Sequence, residues 1–401
     1  MAYQVTSKTS YGQRLKSSFG GIGMGFILLI LGTCLLWWNE GRAVKTSKML
    51  KSAEAVAVHV ADVSTVDAAN DGKLIHATAV AQTSEALTDA SYGVSAVALQ
   101  LERKVEFYQW TEHSSSQTKD KVGGSQETVT TYTYSKEWTT GPVNSADFKD
   151  PDYQASNSVF ITPSSESWQA QNVSFGAYRL PSNMVSSLSC NTPVEITPDE
   201  AVVNSLNEDI SKFKGDTVTT EYVHVNGNVI YIGRNSDAPE IGDVRITYTK
   251  TDCGEVSVLA QVAGDTFTNY TAPNGKTLSA IVPGTRSMDE MFQSEHQTNK
   301  IWLWVFRIVG ILLVIGGLKG IFNILVTLLK VLPFLAKIGN LGVGLVCNVV
   351  GFIWSLIVIL IAWIAYRPIV AIVLLAVVVA LVVFLVRKSK NAKAVGPAKT
   401  E

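Results

Sequence analysis

The stretch FGGIGMGFILLILGTCLLWW, Phe19–Trp38, carries no charge and is long enough to cross a hydrocarbon core of ~30 Å as a helix. Trp37 and Trp38 stand where interfacial aromatics collect at a membrane boundary. A cleaved signal peptide is the competing reading. Against it, the apolar run exceeds a usual signal core, and Trp37-Trp38-Asn39-Glu40 is a poor cleavage context. The stretch therefore reads as a retained anchor.

Three further apolar stretches lie toward the other end of the chain, at about 301–318, 341–365 and 369–386. After the first of them, residues 320–336 are apolar but interrupted by Lys330 and Pro333, so they either extend the span or lie along the interface. Tyr366-Arg367-Pro368 marks a reversal, because proline disfavours helix in the residue before it. Arg387, Lys388, Lys390 and Lys393 end the last span. The expected organisation is a basic segment 1–18, an anchor 19–38, a soluble domain 39–299, a membrane region 300–386 and a basic tail 387–401.

The net charge of −1 conceals a division that follows these boundaries. Between Glu54 and Glu295 there are 32 acidic and 15 basic residues; elsewhere there are 18 basic residues and only Glu40 and Glu401 as acids. Basic residues beside apolar spans suit anionic headgroups. An acidic central region argues against nucleic acid as a partner, because that requires phosphate neutralisation. Four spans place both termini on one side, which carries 11 flanking Lys and Arg against 7 on the other. The termini are thus expected in the cytoplasm and the large domain in a periplasmic or lumenal space.

Period-two runs rich in Val, Thr, Tyr and Ile predict strands at Ala53–Ala61, Leu74–Ala81, Val97–Trp110, Thr128–Thr139, Thr217–Val225, Val229–Ile232, Val244–Lys250 and Val256–Val262. Asn226-Gly227 between two of them predicts a hairpin. A helix is expected at Pro198–Phe213 with Thr197 as its cap, and another at Ser287–His296, feeding into the second span. The expected fold is a four-span α-helical bundle, one plus three, with a β-rich α+β extracytoplasmic domain between spans one and two. Cys190 and Cys253 could pair if that domain faces an oxidising compartment.

The residues offer little chemistry. The histidines His59, His76, His113, His224 and His296 lack metal-ligand spacing with one another or with cysteine, and no Cys-x-x-Cys occurs. Nucleophile elbows and phosphate loops are also missing. No catalytic residue, metal or cofactor is expected.

The candidate positions concern packing instead. Gly21 and Gly25, and Gly316 and Gly320, are spaced for close helix approach. Arg307 lies six residues past Ile301, about 9 Å into the span. It could pair with Glu40 on the same membrane side, snorkel to the headgroups, or line an ion path. Tyr108, Trp110 and Trp138 either fill the sheet core or form a partner-binding or ligand-binding groove.

Several motifs occur in order along the chain: Asn39-Glu40-Gly41-Arg42-Ala43 with Lys45-Thr46 just after, Tyr92-Gly93-Val94, the run from Leu101 to Trp110, Tyr132-Thr133-Tyr134-Ser135-Lys136-Glu137-Trp138, Pro239-Glu240-Ile241-Gly242-Asp243-Val244-Arg245 and Tyr366-Arg367-Pro368. In this order they resemble the LUMA family (transmembrane protein forty-three). The resemblance implies four spans and a large lumenal or extracytoplasmic loop. Animal members reside in the endoplasmic reticulum and inner nuclear membrane, self-associate, and organise the nuclear envelope with lamina-associated partners. That last role transfers only to a host with a nucleus; in a bacterium the inner membrane is expected. The family supplies no catalytic residues.

The function expected from these readings is a non-enzymatic membrane scaffold. It would form homo-oligomers and bind membrane lipids and other membrane proteins. The alternatives are a channel or transporter component drawing on Arg307, Asn348 and Lys319, and a membrane-anchored hydrolase with an unmarked site.

Overall fold

A computed structural model describes residues 2–197, 199–329, 331, 333–367 and 372, with the side chains of 333–340 left aside. The expected fourth span at 369–386, apart from residue 372, the tail 387–401, Pro198, Lys330 and Pro368 fall outside the described residues. The chain divides into two compact units, one made of Met1–Lys8, Met49–Lys119 and Glu127–Ser294, the other of Thr9–Lys48, Asp120–Gln126 and the chain from Glu295 onward.

The first unit is the β-rich domain. Its principal strands are β1 (Tyr3–Thr9), β2 (Leu74–Gln82), β3 (Gln100–Asp120), β4 (Gln126–Thr139), β5 (Val223–Asn226), β6 (Val229–Ile232), β7 (Val244–Thr251), β8 (Gly254–Ala263) and β9 (Ala280–Pro283). One sheet runs β1-β4-β3-β7-β6-β5, and a second is built on antiparallel β2, β8 and β9. Alternation along β3 buries Leu101, Arg103, Val105, Phe107 and Gln109 on one side. Their apolar members join Ile75, Phe175, Tyr222, Ile246, Tyr248 and Val258 in one core. Gly227, at φ 58°, opens the two-residue turn between β5 and β6, a conformation that glycine adopts without steric cost.

Two expected strands are shortened, each for a local reason. The run from Ala53 to Ala61 is alanine-rich; helix persists through Glu54, and only Val58–His59 pairs with β2. The run from Thr217 to Val225 forms a strand only from Val223. The Asn207 side chain accepts from the Tyr222 and Val223 amides, and the Ser211 hydroxyl accepts from that of Thr220. Helix side chains thus satisfy backbone groups that a ladder would otherwise hold. That helix is Glu200–Lys214, shorter at its start than expected: Asp199 caps the Ala201 amide, a stronger cap than Thr197, and Gly215 ends it in the left-handed region. Cys190 and Cys253 are both free thiols.

The second unit is helical. α1 spans Tyr11–Glu54, well beyond the apolar core from which it was read, and starts in a reciprocal Ser10–Gln13 capping box. α2 here denotes Glu200–Lys214 of the first unit; α3 is Met288–Leu329 and α4 is Pro333–Tyr366. α3 begins with a Ser287–Glu290 capping box and is continuous through the second span into the stretch beyond Gly320. Residues 320–329 therefore extend that helix, and a new one starts at Pro333, a residue suited to a first helical position. Among the described residues, three helices are long and apolar enough to cross a membrane. The protein is an integral membrane protein with a large β-rich domain between its first two membrane helices.

Candidate functional site

Asn39-Glu40-Gly41-Arg42 lies inside α1, just past the apolar run, and each of its residues meets α3 or α4. Asn39 is fully buried and donates to the Leu303 carbonyl at 2.9 Å. Its amide oxygen accepts from the Arg42 guanidinium, which also donates to Asn299 at 3.2 Å. Asn299 in turn donates to the Ala43 carbonyl at 3.0 Å. At Gly41 an added Cβ would lie 2.5 Å from the Tyr366 ring, so only glycine lets α4 approach here.

Glu40 carries the charge of this junction. Its side chain has no exposed surface, and one carboxylate oxygen accepts from Arg307 Nε and Nη2, both at 2.6 Å. The other oxygen finds no hydrogen-bond partner among the described residues. The Arg307 guanidinium also stacks over Trp304, 5.0 Å from the ring centroid. A buried carboxylate is tolerable only if it is paired, so Arg307 is the counter-ion that lets Glu40 exist at this depth. Beside this group Trp38 packs edge-on against Phe306, and Trp37 packs against Tyr366.

The glycines read as packing sites divide. A Cβ at Gly25 would stand 2.7 Å from the Gly317 carbonyl oxygen, and one at Gly320 would stand 3.1 Å from Gly25 Cα. One at Gly21 would make only ordinary contact, 3.8 Å from the Gly320 oxygen. Gly316 has nothing within 4 Å; the close approach belongs to its neighbour Gly317, whose Cβ would meet Leu29 at 2.6 Å. Gly32 and Gly310 extend the same α1–α3 seam. A GxxxG search misses them because their partners lie seven residues away along each helix.

Tyr108, Trp110 and Trp138 sit on the sheet face opposite the core and are half-buried. Trp138 lies between Tyr108 and Tyr231, with the Arg245 guanidinium 4.4 Å over its ring. Trp110 meets Tyr153 edge-on, and Lys136 lies over it at 5.3 Å. Burial opposes charge on Glu106, but hydrogen bonds from Lys104 and Arg245 hold its carboxyl below the usual range. Burial and a bond to Glu112 push the Tyr134 phenol up to about 12, so it remains a donor at any working pH. The face is thus a ladder of alternating rings and cations.

The structure also joins two residues that the spacing of histidines did not connect. His59 and His76 are register partners on neighbouring parallel strands, with Nδ1 atoms 3.0 Å apart, and His76 Nε2 lies 2.8 Å from the Arg286 carbonyl oxygen. Seventeen residues separate them, so only strand pairing could have shown it.

The family model described as Transmembrane protein 43 matches residues 107–368. Human Transmembrane protein 43 is 29% identical over 96% of this chain and 94% of its own length. The rat protein of that name is 29% identical over 91% and 90%, and the Transmembrane protein 43 homolog of Drosophila melanogaster is 27% identical over 90% and 93%. No solved structure matches the chain. On the extent of these matches, the chain belongs to the transmembrane protein 43, or LUMA, family.

Proposed function

We propose that this protein is a non-enzymatic membrane scaffold. In this reading four spans anchor it, and the β-rich domain engages protein or lipid partners outside the membrane. The observation that carries the reading is the outer face at Tyr108, Trp110 and Trp138. Rings and cations already ordered by stacking bury much area at small entropic cost, which is what a recognition surface needs. The polar residues of the α1–α3 junction support it too, since Asn39, Glu40, Arg42, Asn299 and Arg307 are engaged with one another. That engagement takes Arg307 away from the ion path a channel would require. In a nucleated host the family resemblance extends the proposal to self-association and organisation of the nuclear envelope with lamina-associated partners.

The test is photo-crosslinking in native membranes from a reactive amino acid at position 138, with identification of the adducts. Specific adducts, either to another copy or to a second membrane protein, are expected. A probe at 138 that captures nothing, while one at exposed Val218 does, would reject this face as the recognition surface. Ion-specific currents from the purified protein in liposomes would reject the scaffold reading itself.

A further inference from the structure

The helical unit holds a second cation at membrane depth. Lys319 precedes Gly320, which packs on Gly21 and Gly25 of the anchor's apolar run, and ten residues follow before α3 ends at Leu329. Lys319 therefore lies within the membrane, toward the N-terminal side. Arg307 has Glu40, but neither α3 beyond Glu295 nor the described part of α4 carries an acid that could do the same for Lys319. No Asp or Glu occurs between Glu295 and Glu401, and Glu40 is the sole acid of α1 before Glu54. A charge at this depth is costly, and with no acid on the helices that flank it an anionic headgroup is a counter-charge that suits it.

Lys319 and Asn323 are one helical turn apart and share a face of α3. With Val326, Val343 and Gly344 they line a cavity of about 270 Å³ between α3 and α4. A second cavity of about 400 Å³ shares Val343 and is walled by Phe322, Leu325, Gly342, Val346 and Cys347. The two adjoining spaces thus differ in character, one holding a cation and an amide, the other nearly all hydrocarbon. We propose that this groove binds an anionic glycerophospholipid, its phosphate on Lys319 and Asn323 and an acyl chain against Phe322, Leu325 and Val346. A flexible lysine stem can raise its ammonium toward the headgroup level while its methylenes remain in apolar surroundings.

The full-length protein in detergent can be tested by native mass spectrometry with phosphatidylglycerol and phosphatidylcholine of matched chains. The wild type should retain phosphatidylglycerol preferentially. Lys319→Met should lower that retention at least fivefold, while Lys319→Arg keeps it. Gly342→Leu, whose side chain starts in open space, should fill the apolar cavity and lower retention of both lipids with the helical circular-dichroism signal unchanged. Glycerol phosphate at millimolar concentration should not displace the lipid; if it did, a soluble phosphate site would replace the lipid site. Equal retention of the two lipids by the wild type, or an unchanged Lys319→Met, would overturn the proposal. So would a photo-crosslinker at 343 that reacts with residues 369–386 and not with lipid.

Discussion

Arg307 closes two hydrogen bonds of 2.6 Å on a single oxygen of Glu40, a carboxylate with no exposed surface. Removing one member of such a pair costs more than the pair itself contributes, because the remaining charge stays buried. Arg307→Leu should therefore lower stability in detergent by about 3 kcal/mol. The double variant Glu40→Leu with Arg307→Leu should recover much of that loss. Thermal unfolding of the two purified variants decides it. An unchanged midpoint for Arg307→Leu would mean that the guanidinium is content elsewhere and the helices do not depend on it.

The glycine seam gives a sharper contrast, because neighbouring positions behave differently. Gly317 faces Leu29 and the Gly25 oxygen, while Gly316 faces open space. Gly317→Leu should force α1 and α3 apart at a cost of about 1–3 kcal/mol, and Gly316→Leu should be close to neutral. Crosslinking between cysteines placed at 29 and 317 in a wild-type background would check the contact directly. Equal destabilisation by both leucines would show that the seam runs elsewhere.

The burial of His76, beside His59, should make the β-rich domain sensitive to acid. Burial, together with the charge of His59, lowers the His76 pKa below its ordinary value of 6.5, although its bond to the Arg286 carbonyl works the other way. A histidine with a depressed folded value binds fewer protons than the unfolded chain does. Its contribution is complete above pH 6.5 and is lost as pH falls through the lowered value. Unfolding midpoints followed by tryptophan fluorescence should drop between pH 7.5 and 5.5, and His76→Gln should flatten that slope. A slope unaltered by His76→Gln would assign the acid sensitivity to other groups.

How much of this was legible in the residues depends on the range of the interaction. Apolar length and alternation are local, so the anchor, the second and third spans and most strands could be read directly. Glu40 and Arg307 could be matched because each is an unusual charge near an apolar run and topology puts them on one side. Range limited the rest. The His59–His76 contact depends on strand register, and the Gly32 and Gly310 seam on the crossing of two helices. The residues from Thr217 to Tyr222 carry a strand's alternation, yet Asn207 and Ser211 take the backbone bonds of a strand. The aromatic residues of β3 and β4 were recognisable as a group, but which face they occupy follows from Leu101, Val105 and Phe107 claiming the core.

The motif from Leu101 to Trp110 contains one inward charge, and it sets the last expectation. Arg103, only 4% exposed, donates to Asp89, to Glu166 at 2.9 Å and to the Ser164 carbonyl at 2.9 Å, and lies against the rings of Tyr92 and Trp168. Asp89 is 2% exposed and takes a further bond of 2.6 Å from the Tyr248 hydroxyl. Burial, and after it the Asp89 carboxylate, raise the Tyr248 pKa, so that hydroxyl remains a donor. Arg103→Met should preserve much of the packing yet strand the Asp89 charge, at a cost of about 3–5 kcal/mol. Tyr248→Phe removes one donor while the charge stays paired with Arg103 and bonded to the Ser91 amide, and should cost only about 1–2 kcal/mol. Chemical denaturation read by near-ultraviolet circular dichroism, which reports Trp168 and its neighbours, would rank the two. If Tyr248→Phe proved the more damaging, the hydroxyl and not the guanidinium would be the principal partner of Asp89.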